Sequence, residues 1–231
     1  MAKRPLFVPL ADPDVGVREI TIEFQWFPGM AKIQKQRSIR SLHDQSSHQN
    51  ISPVLEISSK SEEELGVRLS AFNLRFTPPA LSRSLSVETA FQASKVFERG
   101  GPYTDLLKKT SREAKKDIRL RESGSLVAFS FLGQVFQLDP KSFFYDWLYI
   151  NALSERPDLC DAVMRYRGFT DIEFNPKKSI NCQAYSVALF SSIKSAGLLP
   201  GALSSPDAFR EILMNEYRNR DRDVQVQGML F

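Results

Sequence analysis

Cysteine and histidine are scarce in this chain of 231 residues, with two of each. Cys160 and Cys182 have neither metal-ligand spacing nor a partner pair, which predicts two reduced, partly buried thiols in a reducing compartment. His43 and His48 fall in a polar segment near the linker "SSHQNIS". A histidine-based triad and a His-rich metal site are therefore poorly supported, and no metal site is expected. No apolar run approaches the ~18 residues that a membrane span requires. The opening "MAKRPLFVPLADPD" lacks the long apolar core of a signal peptide, so the expectation is a soluble, cytoplasmic protein with no membrane partner. Glycine-rich phosphate loops, His–Glu–x–x–His and Gly–x–Ser–x–Gly are all absent. If the chain is an enzyme, carboxylates, lysines and amides must carry its chemistry.

Apolar residues make up 42% and charged residues 25% of the chain, ordinary values that argue against general disorder. Seventeen phenylalanines predict a well-filled core or a stacking surface. The formal charge of +4 permits contact with a polyanion without requiring it. "VREITIEF" (Val17 to Phe24) alternates like a strand, and "PVLEIS" (Pro53 to Ser58) reads as a short buried one. Met30 to Leu42 predicts a helix with Ile33, Ile39 and Leu42 inward and a basic face of Lys32, Lys35, Arg37 and Arg40. That face is either a solvated helix surface or a phosphate-binding patch. Ser84 or Ser86 would cap a helix running to the Gly100-Gly101-Pro102 stop. "TSREAKKDIRL" predicts a short charged helix capped by Thr110 or Ser111. "SLVAFSFLGQVFQL" reads as two strands about a turn near Gly133. Asp139-Pro140 would open the helix "KSFFYDWLYINAL". Helices over "PDLCDAVMRY", "INCQAYSVALFSSIKSAG" and about Asp207 to Arg218 follow, then a tail ending in a small apolar cluster. The whole reads as an α+β domain, mostly helical, with a small sheet and a hairpin.

Three stretches set polar side chains among apolar ones. "LSAFNL" holds Asn73 between Phe72 and Leu74. Glu88, Gln92 and Lys95 recur at helical spacing beside Val87, Ala90 and Phe91. "FTDIEFNPKKSINCQA" interleaves Asp171, Glu173, Asn175, Asn181 and Gln183 with Phe169, Ile172, Phe174 and Ile180. Each stretch has a plain structural reading: a carboxylate at a helix start, surface helix pairs, or turn and cap residues. Three such clusters in one chain favour a polar pocket, because buried polar groups must be satisfied or used.

In order, "LSAFNL", "SVETAFQASKVF", "REAKKDIR" and "DIEFNPKKSINCQA" resemble the NADAR (YbiA-like) proteins. "PVLEISSKSEEELGVRLSAFNL", "KVFERGGPYTDL", "FFYDWLYINAL" and "GFTDIEFNPKKSINCQA" are most similar to the branch associated with DarT toxins. The resemblance runs from about Lys3 to Leu199. It implies one compact α+β domain: an N-terminal strand and basic helix (residues 1–50), a catalytic part (51–200) and a C-terminal helix and tail (201–231) packed on it. It implies removal of ADP-ribose from guanine bases in DNA, by an antitoxin that reverses the modification made by a DarT-type ADP-ribosyltransferase. It implies no cofactor, with ADP-ribose as ligand and product. The alternatives are an N-glycosidase acting on a small nucleotide or riboflavin-pathway intermediate, and a non-catalytic ADP-ribose-binding antitoxin.

Phe72 and Asn73 fall on the family's Phe–Ser–Asn–Phe segment. Glu88, Phe91, Gln92 and Lys95 fall on its Val–Glu–x–x–Phe–Gln–Ala–x–Lys helix, and Glu173 and Pro176 on its late Glu–x–x–Pro. The broad family continues with an Asp and a Trp–Gly pair, where this chain has Lys178 and Asn181-Cys182, so those roles do not carry over.

Breaking a bond between an anomeric carbon and a base nitrogen builds positive charge on the ribose and negative charge on the base. A carboxylate serves the first charge and a proton donor the second. Glu88 is the leading carboxylate, with Glu173 or Asp171 next. Lys95 or Lys60 could instead form a Schiff base with the ribose C1. Phe72, Asn73, Gln92, Trp147, Asp171, Asn175 and Asn181 are the substrate-binding candidates. Lys32, Lys35, Arg37, Arg40, Arg112, Lys115, Lys116 and Arg119 are candidates for phosphate or DNA contact.

Overall fold

A computed structural model describes residues 1–177 and 179–220. Along the chain run β1 (Ala2–Pro9), β2 (Val17–Phe24), α1 (Lys32–His48), β3 (Val54–Glu56), α2 (Glu64–Leu69), β4 (Arg75–Phe76), β5 (Leu85–Ser86), α3 (Val87–Ala93) and β6 (Lys95–Phe97). Then come α4 (Ser111–Lys116), α5 (Arg119–Glu122), β7 (Leu126–Phe131), β8 (Gln134–Phe136), α6 (Phe143–Ser154), α7 (Pro157–Val163), β9 (Gly168–Thr170), α8 (Gln183–Ser195), α9 (Leu199–Ala202) and α10 (Pro206–Ile212). The α+β reading holds.

The main sheet has the order β2-β1-β9-β3, with β9 parallel to β3 and antiparallel to β1. Sequence alternation reveals only β2, the edge strand, and the buried β3. Neighbours Leu6 and Phe7 in β1 are both buried, as are all three residues of β9. A strand covered on both faces loses its two-residue period, which is why neither is visible by alternation. Leu6, Ile22, Phe24, Val54 and Ile172 pack with Ile39 and Leu42 of α1 on one face. Phe7, Leu55 and Phe169 join the main core with α6 and α8 on the other.

Helix α1 continues through the stretch expected to be a linker and ends at His48. It starts later than expected and leaves Ile33 exposed, while Ile39 and Leu42 are buried as predicted. His43 is thereby carried over the sheet, where its Nε2 lies 2.9 Å from Thr170 Oγ1. Gly66 of α2 presses against β3: a β-carbon there would collide with the Glu56 carbonyl oxygen.

The helix expected from Ser86 to Gly100 stops at Ala93. Ser86 is its cap, accepting from the Thr89 N–H at 3.0 Å, whereas Ser84 accepts from Arg75. Beyond Ser94 the backbone turns into β6, with Lys95 opposite Phe129 of β7. Lys95 therefore leaves the helical stripe of Glu88 and Gln92. Gly100 and Gly101 shape the turn after β6, Gly101 at a φ of +91° that favours glycine. The predicted hairpin is β7–β8, and Thr110 closes a capping box with Glu113 at the start of α4. Helix α6 begins at Phe143, three residues past the expected Asp139-Pro140 opening. Helix α8 begins only at Gln183, and the last predicted helix divides into α10 and a second helical stretch over 214–220. The C-terminal apolar cluster and Lys178 lie outside the described residues.

Much of the phenylalanine content forms one aromatic core. The Phe129 ring centroid is 4.7 Å from that of Phe144, as is that of Phe136. Phe91 stands 5.3 Å from Phe129 and 5.0 Å from Tyr145. Each such ring contributes ~2 kcal/mol by burial, and each well-placed ring pair adds ~1 kcal/mol. This packing holds α3 rigidly between the hairpin and α6.

Candidate functional site

The candidate site is built from the short helix α3 and from the residues that follow the carboxyl ends of the parallel strands β3 and β9, a common ligand position in parallel sheets. One glutamine ties these parts together. Gln183 Oε1 accepts from the Ala71 N–H at 2.7 Å, and Gln183 Nε2 donates to the Ile57 carbonyl at 2.6 Å. The Ala71 carbonyl in turn accepts from the Glu88 N–H at 2.9 Å. The start of α8, the end of β3 and the first turn of α3 are thus fixed relative to one another.

All seven residues of α3 are buried, its polar ones included. Glu88 is only 6% exposed, and its Oε1 accepts from Gln92 Nε2 at 2.9 Å. Lys115 of α4 places its Nζ 3.5 Å from the same oxygen and 4.9 Å from the centre of the Phe72 ring. Helix α4 is held there by serines: Ser86 Oγ lies 2.7 Å from Ser111 Oγ, which donates to the Phe72 carbonyl at 3.0 Å.

Lys95 returns to this group from β6, its Nζ 4.8 Å from the centre of the Phe91 ring. Burial lowers its pKa to about 8; the Lys115 charge adds to that and the Glu88 charge opposes it. A desolvated amine near neutrality is a usable nucleophile. Tyr145 meets Phe91 edge-on, and its buried phenol is pushed well above the usual range, so it remains an O–H donor. Both Glu88 and Asp171 contribute to that shift, so Tyr145 lies in electrostatic reach of both carboxyls.

Asp171 follows β9 directly. Its Oδ1 accepts from the N–H groups of Glu173 at 2.9 Å and Phe174 at 3.2 Å. Burial nevertheless raises its pKa to about 7, so a proton is available there near neutral pH. A carboxylate beside ammonium groups, a partly neutral amine and a buried carboxylic acid thus share one region.

The remaining predicted site residues divide clearly. Glu173 is exposed and pairs with Lys35 at 3.3 Å, on the α1 side of the sheet. Asn73 is exposed and donates to the Val67 carbonyl. Asn175 accepts from the Lys177 N–H, as a turn residue does. Asn181 Oδ1 is buried without a hydrogen bond among the described residues. Lys60 lies in the turn after β3, where its N–H donates to Ser58 Oγ. Trp147 packs against Phe136, ring centroids 5.1 Å apart and tilted, and joins the hairpin core. Two residues along a helix turn through about 200°, so Trp147 and the site-facing Tyr145 point in opposite directions. Tyr145 is not among the residues expected from the sequence: it lies two positions from Trp147 in a helix buried nearly all round, which leaves no periodic signal.

Among the predicted phosphate contacts, Arg40 is paired with Glu62, and Arg119 holds both Asp105 and Asp117. Arg37 covers the Phe27 ring at 4.1 Å. Lys32, Arg112 and Lys116 are exposed and are named in no ion pair among the described residues. Both cysteines are free and buried, and among the described residues no group of His, Cys, Asp and Glu side chains has metal-holding geometry. No described helix is long and apolar enough to cross a membrane.

A comparison with curated proteins finds no match. A comparison with protein families matches residues 2–223, nearly the whole chain and every part of the site above, to NADAR-DarT1, the DarT1-associated NADAR antitoxins. The chain belongs to the DarT1-associated NADAR antitoxin family.

Proposed function

We propose that this antitoxin is an ADP-ribosyl glycohydrolase that removes ADP-ribose from guanine bases in DNA, undoing the modification made by its DarT1 toxin. The observation that carries the reading is the buried Glu88–Gln92 pair with the Lys95 and Lys115 amines beside it. A buried carboxylate facing a sugar suits an oxocarbenium-like transition state, and a lowered amine pKa suits attack on C1.

In this mechanism the electron pair of the C1–N bond passes to the guanine nitrogen, which takes the Asp171 proton. The Lys95 lone pair forms the new bond to C1 while Glu88 faces the developing cation. The amine returns a proton to Asp171, which passes it to the ribose ring oxygen; the C1–O bond breaks, the ring oxygen leaves as a hydroxyl, and a protonated Schiff base results. Water adds to that imine, Lys95 leaves, and free ADP-ribose and unmodified DNA are the products. Tyr145 and Asn181 are suited to ribose hydroxyls. Arg112, Lys116 and Lys32 are the cations still available for phosphates.

The test is an oligonucleotide ADP-ribosylated on guanine by a DarT-type transferase, incubated with substoichiometric protein. The expected result is many turnovers, read as released ADP-ribose and restored oligonucleotide mass. Borohydride with ADP-ribose should trap an adduct on wild-type protein and none on Lys95→Arg. Tight binding that saturates at one equivalent, with no release, would replace the enzyme with a binding antitoxin.

A further inference from the structure

On the α1 face of the sheet, opposite the side where Asp171 meets Gln183, lies a cleft of about 330 Å³ lined by Ile39, Arg40, His43, Asp44, Glu56 and Ser61, among others. At its floor is a polar array that the reaction above does not use. His43 Nε2 lies 2.9 Å from Thr170 Oγ1, which lies 2.7 Å from Glu56 Oε2. Glu56 Oε1 accepts from the Ile172 N–H at 2.9 Å, the N–H of the very peptide that joins Asp171 to Ile172. Thr170 and Glu56 are register partners at the ends of parallel strands, and both are essentially inaccessible.

A buried carboxyl with no cation partner is costly unless it can hold a proton, and a proton needs a route. The array supplies one, because each member can donate or accept. With Glu56 as carboxylate, His43 Nε2–H donates to Thr170 and Thr170 O–H donates to Glu56. A proton arriving at His43 Nδ1 reverses the chain: the Nε2 proton moves to Thr170 Oγ1 and the Thr170 proton to Glu56 Oε2. One proton enters, one carboxylate becomes an acid, and His43 ends neutral in its other tautomer.

We propose that His43, Thr170 and Glu56 form a proton path from the cleft to the strand ends, and that Glu56 is a positioning residue that takes up a proton through it when Asp171 gives its own to the base. The proposal deepens the glycohydrolase reading and rests on it for Asp171 as the acid. Burial raises Glu56 to about 8, the Asp171 charge adds to that, and burial lowers His43 to about 4 so that it relays as a neutral ring. The other charged or titratable groups facing this region are Arg4 from β1, Arg40 and Asp44 from α1, Glu62 and Glu63 from the β3–α2 loop and Glu173 after β9. Tyr145 and Tyr149 of α6 and the Cys182 thiol also face it, all pushed up by burial and uncharged near neutral pH.

Carbon-13 NMR of the Asp and Glu carboxyls against pH tests the coupling without any turnover, with Glu56→Gln supplying the assignment. Asp171→Asn keeps the shape and removes the charge that raises Glu56, so the Glu56 midpoint should fall by about one pH unit. An unmoved midpoint in a folded variant overturns the coupling. His43→Gln keeps a hydrogen bond to Thr170 but passes no proton. Its kcat should fall about tenfold at alkaline pH and recover with added imidazole buffer. Wild-type kcat without rescue overturns the path. If wild-type protein releases no ADP-ribose, the glycohydrolase reading fails, while the NMR result still decides the coupling.

Discussion

Two buried carboxyl sites in this fold have opposite neighbours. Glu88 on α3 is met by an amide and an ammonium, Gln92 at 2.9 Å and Lys115 at 3.5 Å. Asp171 and Glu56, at the ends of β9 and β3, have each other and a set of N–H and O–H donors. Depth is shared; the company differs. Cations beside a buried carboxylate favour its charge, whereas a second carboxyl favours a proton on the pair. One fold thereby holds a buried carboxyl with cation partners and a buried carboxyl that can hold a proton, the division of labour that glycosidic cleavage needs.

Removing the charge from the first site should have the largest effect. Glu88→Gln is expected to lower kcat on ADP-ribosylated DNA by about 10³-fold with its fold intact, since the stabilised cation loses its counter-charge. Asp171→Asn should follow at about 10²-fold, because a proton donor contributes less than a facing charge. A reversed order would show that the two carboxyls exchange roles. Both are read by single-turnover release of ADP-ribose, with circular dichroism as the folding control.

The pH profile sharpens the comparison further. Lys95 must be neutral to attack and has a pKa of about 8, so below that value the rate rises with pH. Asp171 must be protonated to act and has a pKa of about 7, so above that value the rate falls. The product of the two peaks between about 7 and 8, and each unit on either side of that window lowers kcat about tenfold. A profile flat from pH 6 to 9 would remove both groups from the chemistry.

Lys115→Ala is the mildest change. Its side chain is about half exposed, so water replaces much of its effect on Glu88, and a loss of about fivefold is expected. It should also raise the Lys95 midpoint, moving the acid limb to higher pH, because a like charge is removed. A shift to lower pH would mean that Lys115 acts on Lys95 through Glu88 instead.

The elements with one exposed face were readable from the chain: β2, the β7–β8 hairpin and the middle of α1 follow their periods. Strands β1 and β9 were not, since burial on both faces erases the alternation that identifies a strand. The end of α3 was hidden for another reason. Nothing local forbids the helix from continuing past Ser94; the pairing of Lys95 with Phe129 across the chain draws it into a strand. Within the site, Glu88 and Gln92 were legible as a polar pair four residues apart on an otherwise apolar helix. Tyr145 was not, because α6 is buried nearly all round, and His43 was read as part of a polar segment near a linker because its contact with Thr170 exists only in space.

By itself, the sequence determined the chemistry available: carboxylates, amines and amides, and too few histidines and cysteines for most metal or triad designs. It also determined the local elements, because helix and strand periods and caps act over a few residues. Tertiary structure alone decided which of those groups lose water and what each one faces. Lys95 has a pKa near 8 because a strand from 30 residues away folds it beside Phe91, and Glu56 can hold a proton because β9 lies against β3. Desolvation and charge pairing depend on distance in space, which the order of residues does not contain.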